Sequence, residues 1–198
     1  MAELCELNDH LEKVLFHETT ILSRLDEIAG QITEDYRGKN LTVLAILHGG
    51  LIMMADLLRR IQLPLKMECI SVESYHGGTE SSGTVRFNVD RMPNFSGEHV
   101  LVIDDILDSG RTLAAISKRI SAECSPESVR VAVLLDKKAE RAAEVRPDYT
   151  GFEIDDLFVV GYGLDYGGRY RNLPLIGTLK EEHILPEHRG GKGEASGG

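Results

Sequence analysis

Two stretches of this chain each run from an unbroken apolar segment through a glycine turn into a helical pattern, and that scheme limits the folds open to it. LTVLAIL (Leu41 to Leu47) is followed by HGG and then LIMMADLLRRI, where Ile52, Ala55, Leu58 and their neighbours recur at helical spacing. HVLVID leads through DILDSG into RTLAAISKRI, whose Leu113, Ile116 and Ile120 form an apolar stripe. SVRVAVLLD (Ser128 to Asp136) adds a further continuously apolar strand. Strands apolar on both faces must be covered on both faces. They predict an α/β protein with a parallel sheet between helices, in which ligands sit at the carboxyl ends of the strands. The glycine turns fall at that edge.

Before this core, TTILSRLDEIAGQITEDY carries Ile21, Leu22, Leu25, Ile28, Ala29 and Ile32 at helical spacing, with Thr19 or Thr20 as the expected cap. After it, DDLFVVGYGLDYGGRYRNLPLIGTL has short β-like runs broken by glycines and predicts a small accessory subdomain. LKMECISVESY and TVRFNV flank HGGTESSG, whose glycines and serines predict a mobile loop. RGGKGEASGG is low in complexity, and residues 189–198 are expected to be a disordered tail. The 198 residues suit one domain, expected over 1–188, and 42% hydrophobic content is enough for a sizeable core.

The net charge of −10 argues against nucleic acid or an anionic membrane as a partner, since either needs a basic footprint. Cys5, Cys69 and Cys124 are odd in number and lack a Cys-x-x-Cys pair, so free thiols are expected rather than a disulfide framework or zinc knuckle. MAELCELNDHLEK contains no apolar run of signal-peptide length, and no stretch reaches the roughly 18 apolar residues of a membrane span. A cytoplasmic protein is the expectation.

The chemistry concentrates in HVLVIDDILDSGRTLAAI, where three aspartates stand beside a glycine turn at a strand-to-helix junction. Ser109, Gly110, Arg111 and Thr112 offer hydroxyls and a run of backbone N–H groups at a helix start, a cradle for a monophosphate. A plain N-cap would use the same residue types, and the turn lacks the GKS or GKT of a Walker loop. Asp104 and Asp105 could accept hydrogen bonds from vicinal sugar hydroxyls, and Asp108 could face whatever the sugar carries. Interaction with the helix dipole would account for one carboxylate but not for three within five residues. A phosphosugar with hydroxyls and a divalent cation accounts for all of them.

Four apolar residues, two acidic, two apolar, then Asp-Ser-Gly-x-Thr resembles the phosphoribosyl-pyrophosphate (PRPP) motif of the type I phosphoribosyltransferases. LHGG, SVESY, LLDKK, GFEIDDLFVVGYGLDY and RYRNLP follow the order found in the hypoxanthine(-guanine) members, so the resemblance covers roughly Thr20 to Leu179. The bacterial, hypoxanthine-preferring kind is the most similar. The resemblance implies the type I phosphoribosyltransferase fold, with a core over about 37–150 and a hood from the N-terminal segment and about 151–182. It also implies transfer of the phosphoribosyl group of PRPP to hypoxanthine, with guanine accepted, in a homodimer or homotetramer that uses Mg2+.

Residue by residue, the resemblance implies that Asp104 and Asp105 meet the ribose hydroxyls, directly or through magnesium, and that Asp108 is the catalytic carboxylate beside the base. Ser109, Gly110, Arg111 and Thr112 would bind the 5′-phosphate. His48, Gly49 and Gly50, with Arg171, would bind pyrophosphate, and a non-proline cis peptide is expected at His48–Gly49. A side-chain role for His48 competes evenly with a bland surface position. Lys137 would donate to the 6-oxo group of the purine, Phe158 would stack on the base and Val159 would pair with its edge. Asp165 would stand near base and pyrophosphate as a magnesium-linked carboxylate. Without the resemblance Phe158 reads as a core residue, and Lys137 as a solvated charge. Ser74 and Tyr75 would belong to a loop closing over the reaction. A xanthine- or guanine-preferring enzyme is the main alternative. A PRPP-fold regulator is disfavoured by the acidic charge and by Asp108, where such regulators carry an aromatic residue.

Overall fold

The computed structural model describes residues 7–74, 85–88 and 91–184. Along the chain lie β1 (Leu11–Phe16), α1 (Glu18–Asp35), β2 (Leu41–Leu47), α2 (Gly50–Leu58), β3 (Leu65–Ser74) and β4 (Val85–Phe87). They are followed by β5 (His99–Leu107), α3 (Arg111–Glu123), β6 (Ser128–Lys137), β7 (Tyr149–Ile154) and β8 (Ile176–Leu179), then one 3-10 turn at Glu181–His183. Six strands form the main sheet in the order β4-β3-β2-β5-β6-β7. β3, β2, β5, β6 and β7 are parallel, and β4 adds antiparallel to the β3 edge.

Alternate residues of the central strands divide the core in two, as the pleat requires. Leu41, Val43 and Ala45 of β2, Leu101 and Ile103 of β5, and Ala132 and Leu134 of β6 pack with α1 and α2. Leu44, Ile46, Val100, Val102, Val131 and Val133 pack on the other face with Leu113, Ile116 and Ile120 of α3. The stripe expected on α3 is therefore the buried one. On α2 the expectation is corrected: Met53, Met54 and Leu57 are buried, whereas Ala55 is exposed and Ile52 and Leu58 only half-buried. Almost every residue of this helix is apolar, so spacing alone marks no unique face. α1 is capped by His17 without a side-chain bond, not by Thr19 or Thr20, which lie inside its first turn. Arg24 of α1 donates to the carbonyls of Thr150 (2.8 Å) and Gly151 (2.9 Å) of β7 and ties the helix to that sheet edge.

β1 and β8 pair antiparallel as a separate two-stranded sheet, joining the two ends of the described chain. Leu11, Val160, Leu173, Leu175 and Leu179 form its own apolar cluster. This small sheet and its cluster lie within the stretches expected to form a hood. The expected division at residue 150 falls inside β7, which the main sheet holds through Ile154, and α1 packs in one cluster both with the sheet and with Val159, Tyr162, Leu164 and Ile176. The loop expected at HGGTESSG and the tail 189–198 lie outside the described residues. No helix among the described residues is long and apolar enough to cross a membrane.

Candidate functional site

From β2 the chain crosses to β3 on one side and afterwards to β5 on the other. The carboxyl ends of β2 and β5 therefore flank the switch point where open parallel sheets bind ligands. A cleft opens there, lined by Gly49, Asp104, Asp105, Asp108, Ser109, Gly110, Thr112, Asp165 and Arg171, among other residues.

The acidic pair belongs to the strand itself, because β5 continues through Leu107. Asp104 is 8% exposed. Its carboxylate accepts from the Asp105 N–H at 3.0 Å, and the Asp105 carboxylate accepts from the Ile106 N–H at 2.9 Å. Burial, with the neighbouring Asp105 charge, pushes the Asp104 carboxyl well above the ordinary carboxylate range. Burial also raises Asp105, although the Asp104 hydrogen bond, the Ile106 N–H and the Arg171 charge pull the other way. The pair is short of positive charge. Among the described residues no three His, Cys, Asp or Glu side chains are arranged to hold a metal ion. Any cation here must take part of its coordination from ligand oxygens or water.

At the end of β5 the chain turns through Gly110, whose φ of 77° lies in the left-handed region and makes it the N-cap of α3. A Cβ there would also meet the Ala143 carbonyl at 2.7 Å, so glycine is required twice over. Gly110 is the N-cap and α3 has no side-chain cap bond, so neither Ser109 nor Thr112 takes the N-cap place. The loop after β6 supports this turn from below, where Ala142 and Ala143 donate to the Ser109 carbonyl at 3.0 and 3.1 Å. Arg111 is exposed and lies outside the cleft lining.

The cis peptide sits one bond earlier than expected, at Leu47–His48. Gly49 already has helical angles (φ −61°, ψ −49°), so the reversal out of β2 is complete before it. Its lack of a side chain serves a contact instead: a Cβ would lie 1.9 Å from the Asp105 Oδ2. Gly50, packed on the Ile103 carbonyl, opens α2. His48 is exposed and lines a neighbouring depression with Leu51, Ile52 and Asn172, which Arg171 also borders.

Arg171 and Asp165 form an ion pair at 2.6 Å, and Asp165 also accepts from the Gly168 N–H at 2.7 Å. Arg171 donates to the Gly163 carbonyl, whose own N–H returns to the Arg171 carbonyl at 3.0 Å. Gly163 (φ 101°) presses on Gly49, where a Cβ would meet the Gly49 carbonyl at 2.2 Å. The hood thus rests directly on the loop after β2. Tyr162 adds a second tie, its hydroxyl donating to Asp56 of α2 at 2.6 Å.

Lys137, at the end of β6, lies 3.4 Å from Asp108 and 2.7 Å from Asp156. Burial works against its charge, but the two carboxylates outweigh it and hold the ammonium above its ordinary pKa. Phe158 is 56% exposed, its ring nearly perpendicular to that of Tyr166 with centroids 5.5 Å apart, so the core alternative is overturned. Val159 is buried, and neither residue lines the acidic cleft. Ser74 ends β3 and Tyr75 lies outside the described residues, so neither side chain is placed. The sequence reading did not single out Asp156 and Gly163, because their contacts, with Lys137 and with Gly49, are made only across the fold.

Residues 14–167 match the phosphoribosyl transferase domain. The chain is 43% identical to the hypoxanthine-guanine phosphoribosyltransferase of Streptococcus pneumoniae over 176 residues, which span 89% of this chain and 97% of that protein. Its fold is similar to a solved hypoxanthine phosphoribosyltransferase from Staphylococcus aureus (TM-score 0.84, 43% identity, 89% of this chain and 95% of that one). It is also similar to the Trypanosoma cruzi enzyme solved in complex with the product IMP (TM-score 0.80, 37% identity, 88% and 97%).

Proposed function

Because this chain belongs to the phosphoribosyl transferase domain family, we propose that it is a purine-salvage enzyme: it transfers the phosphoribosyl group of PRPP to hypoxanthine, and to guanine, releasing pyrophosphate and leaving IMP or GMP. The observation that carries this reading is one cleft lined by paired carboxylates, an uncapped helix start and an arginine. These supply acceptors for sugar hydroxyls, donors for one phosphate and a guanidinium for a second anion.

Ser109, Gly110 and Thr112 hold the 5′-phosphate, with Arg111 adding charge from outside. Asp104 and Asp105 accept from the ribose hydroxyls, and Arg171 with the backbone of Gly49 and Gly50 binds pyrophosphate. Lys137 donates to the 6-oxo group, Phe158 stacks on the base and Val159 meets its edge. A base nitrogen bonds to the anomeric carbon as the bond from that carbon to pyrophosphate breaks, and the proton lost by the base passes to Asp108. Magnesium fits the all-oxygen donors Asp104, Asp105 and Asp165, because it binds through one or two carboxylates plus substrate oxygens and water. When bound, it neutralises charge on the leaving pyrophosphate. The enzyme works in the cytoplasm, where the free thiols Cys69 and Cys124 stay reduced. It assembles as a homodimer or homotetramer, as the resemblance implies.

Steady-state kinetics with PRPP, Mg2+ and each of hypoxanthine, guanine, xanthine, adenine and uracil test the assignment. Hypoxanthine should be consumed fastest, and a preference for uracil or no consumption of any base would overturn it. Asp108→Asn should lower kcat by about a hundredfold or more while leaving the KM for PRPP near the parent value. Equal losses in both would mark Asp108 as a binding residue only.

A further inference from the structure

Lys137 reaches two carboxylates that differ in distance and in setting. Its side chain is only 13% exposed. Asp156 takes the short contact at 2.7 Å and Asp108 the long one at 3.4 Å. Asp156 owes its place to the sheet: Lys137 pairs with Ile154 in the β6–β7 register, and the Lys138 N–H bonds the Ile154 carbonyl at 2.8 Å. A tight turn follows, in which the Leu157 N–H bonds the Asp155 carbonyl at 2.7 Å and Asp156 swings back over the end of β6. The Asp156 side chain is 69% exposed. A carboxylate so open to water adds little to folding stability through its ion pair, which leaves orientation of the largely covered Lys137 ammonium as the contribution this one can make.

We propose that Asp156 is a positioning residue for Lys137: it draws the ammonium away from Asp108, so that one N–H can point at the 6-oxo group while the Asp108 carboxylate stays free to take the proton of the base. The inference rests on the function proposed above. Without Asp156, the nearest strong acceptor for Lys137 is Asp108, which has an oxygen already within 3.4 Å. A closed Lys137–Asp108 pair would occupy both the donor that recognises the base and the group that receives its proton.

Asp156→Asn is nearly isosteric and tests this without threatening the fold. The expected result is a roughly tenfold rise in the KM for hypoxanthine and a several-fold fall in kcat, with the KM for PRPP and the melting temperature unchanged. Asp156→Glu should recover most of the loss. In a Lys137→Met background Asp156→Asn should add nothing, because the residue acts only through that ammonium. An unaltered hypoxanthine KM, an equal rise in the PRPP KM, or a full additional loss in the Lys137→Met background would each overturn the positioning role. Parent protein that fails to consume hypoxanthine would overturn the function itself and this proposal with it. An active parent with a silent Asp156→Asn overturns the proposal alone.

Discussion

Two adjacent carboxylates at the end of a buried strand are costly in the free protein, and the cost has a sign that can be measured. The carboxyl of Asp104 is raised above its ordinary value of 3.8 by burial and by Asp105. The folded state therefore binds protons that the unfolded chain has already released, and stability falls as pH rises from about 4 through the raised folded pKa. Asp104→Asn keeps the oxygen that accepts the Asp105 N–H and removes the charge. It should be more stable than the parent at pH 7 to 8 without ligand, by roughly 1–3 kcal/mol on the scale of an unpaired buried polar group, and the advantage should vanish below pH 4. An advantage that persists at pH 3 would show that charge is not its source. The same substitution should depress turnover, the usual cost of stabilising a site built to receive a ligand. That Asp104 through Gly110, with Thr112, gather at one cleft was legible in the sequence because strand, carboxylates and glycine turn follow one another along the chain. Asp156 was not, since its meaning lies in a contact with Lys137 across a parallel strand pair. The cis bond was misplaced by one residue because the resemblance puts it before a glycine, whereas it precedes His48, and Gly49 instead makes room for Asp105.

At the scale of elements, the site depends on the hood segment being held against the loop after β2. Gly161, Tyr162 and Gly163 all have positive φ, a sharp local path that Tyr162 anchors to α2 through Asp56. Gly163→Ala would force a Cβ toward the Gly49 carbonyl, a backbone atom that cannot swing aside, at a conformation costing about 1–3 kcal/mol for a non-glycine residue. The element then shifts rather than the atom, carrying Arg171 with it. The expected outcome is a KM for PRPP raised by up to about a hundredfold, with the KM for hypoxanthine changed far less, measured by varying each substrate in turn. Parallel rises in both would place the damage in the fold as a whole. Helix faces were legible where polar residues break the pattern, as on α3, and illegible on α2, where LIMMADLL offers apolar residues all round.

For the whole molecule, alternating apolar strands and helices imply a parallel sheet with its ligand edge at the carboxyl ends, but not the order β3-β2-β5-β6-β7 that sets the switch point. Nor does local patterning reveal that β1 and β8, at opposite ends of the chain, form one sheet. That closure brings Arg171 and Asp165 to a cleft whose other wall is β5, so the site is shared between core and hood and its occupation should be felt by the entire fold. Magnesium alone finds no set of three protein ligands among the described residues, and PRPP alone brings more negative charge to carboxylates already short of a counter-charge. Each alone should move the melting temperature little. Together they satisfy one another, and at about 100 times the dissociation constant the linkage is worth about 2.7 kcal/mol, or roughly 5–10 °C for a domain of this size. Chelation by EDTA should return the transition to the ligand-free value. As pH falls toward the raised carboxyl pKa of Asp104, the combined shift should shrink, because a protonated carboxyl no longer accepts from the ribose hydroxyls with full charge. Differential scanning fluorimetry across the four ligand conditions, at pH 8 and at pH 5, measures both effects. A full shift from magnesium alone would mean that the ion has a protein-built site of its own, and that core and hood are not joined through the phosphosugar.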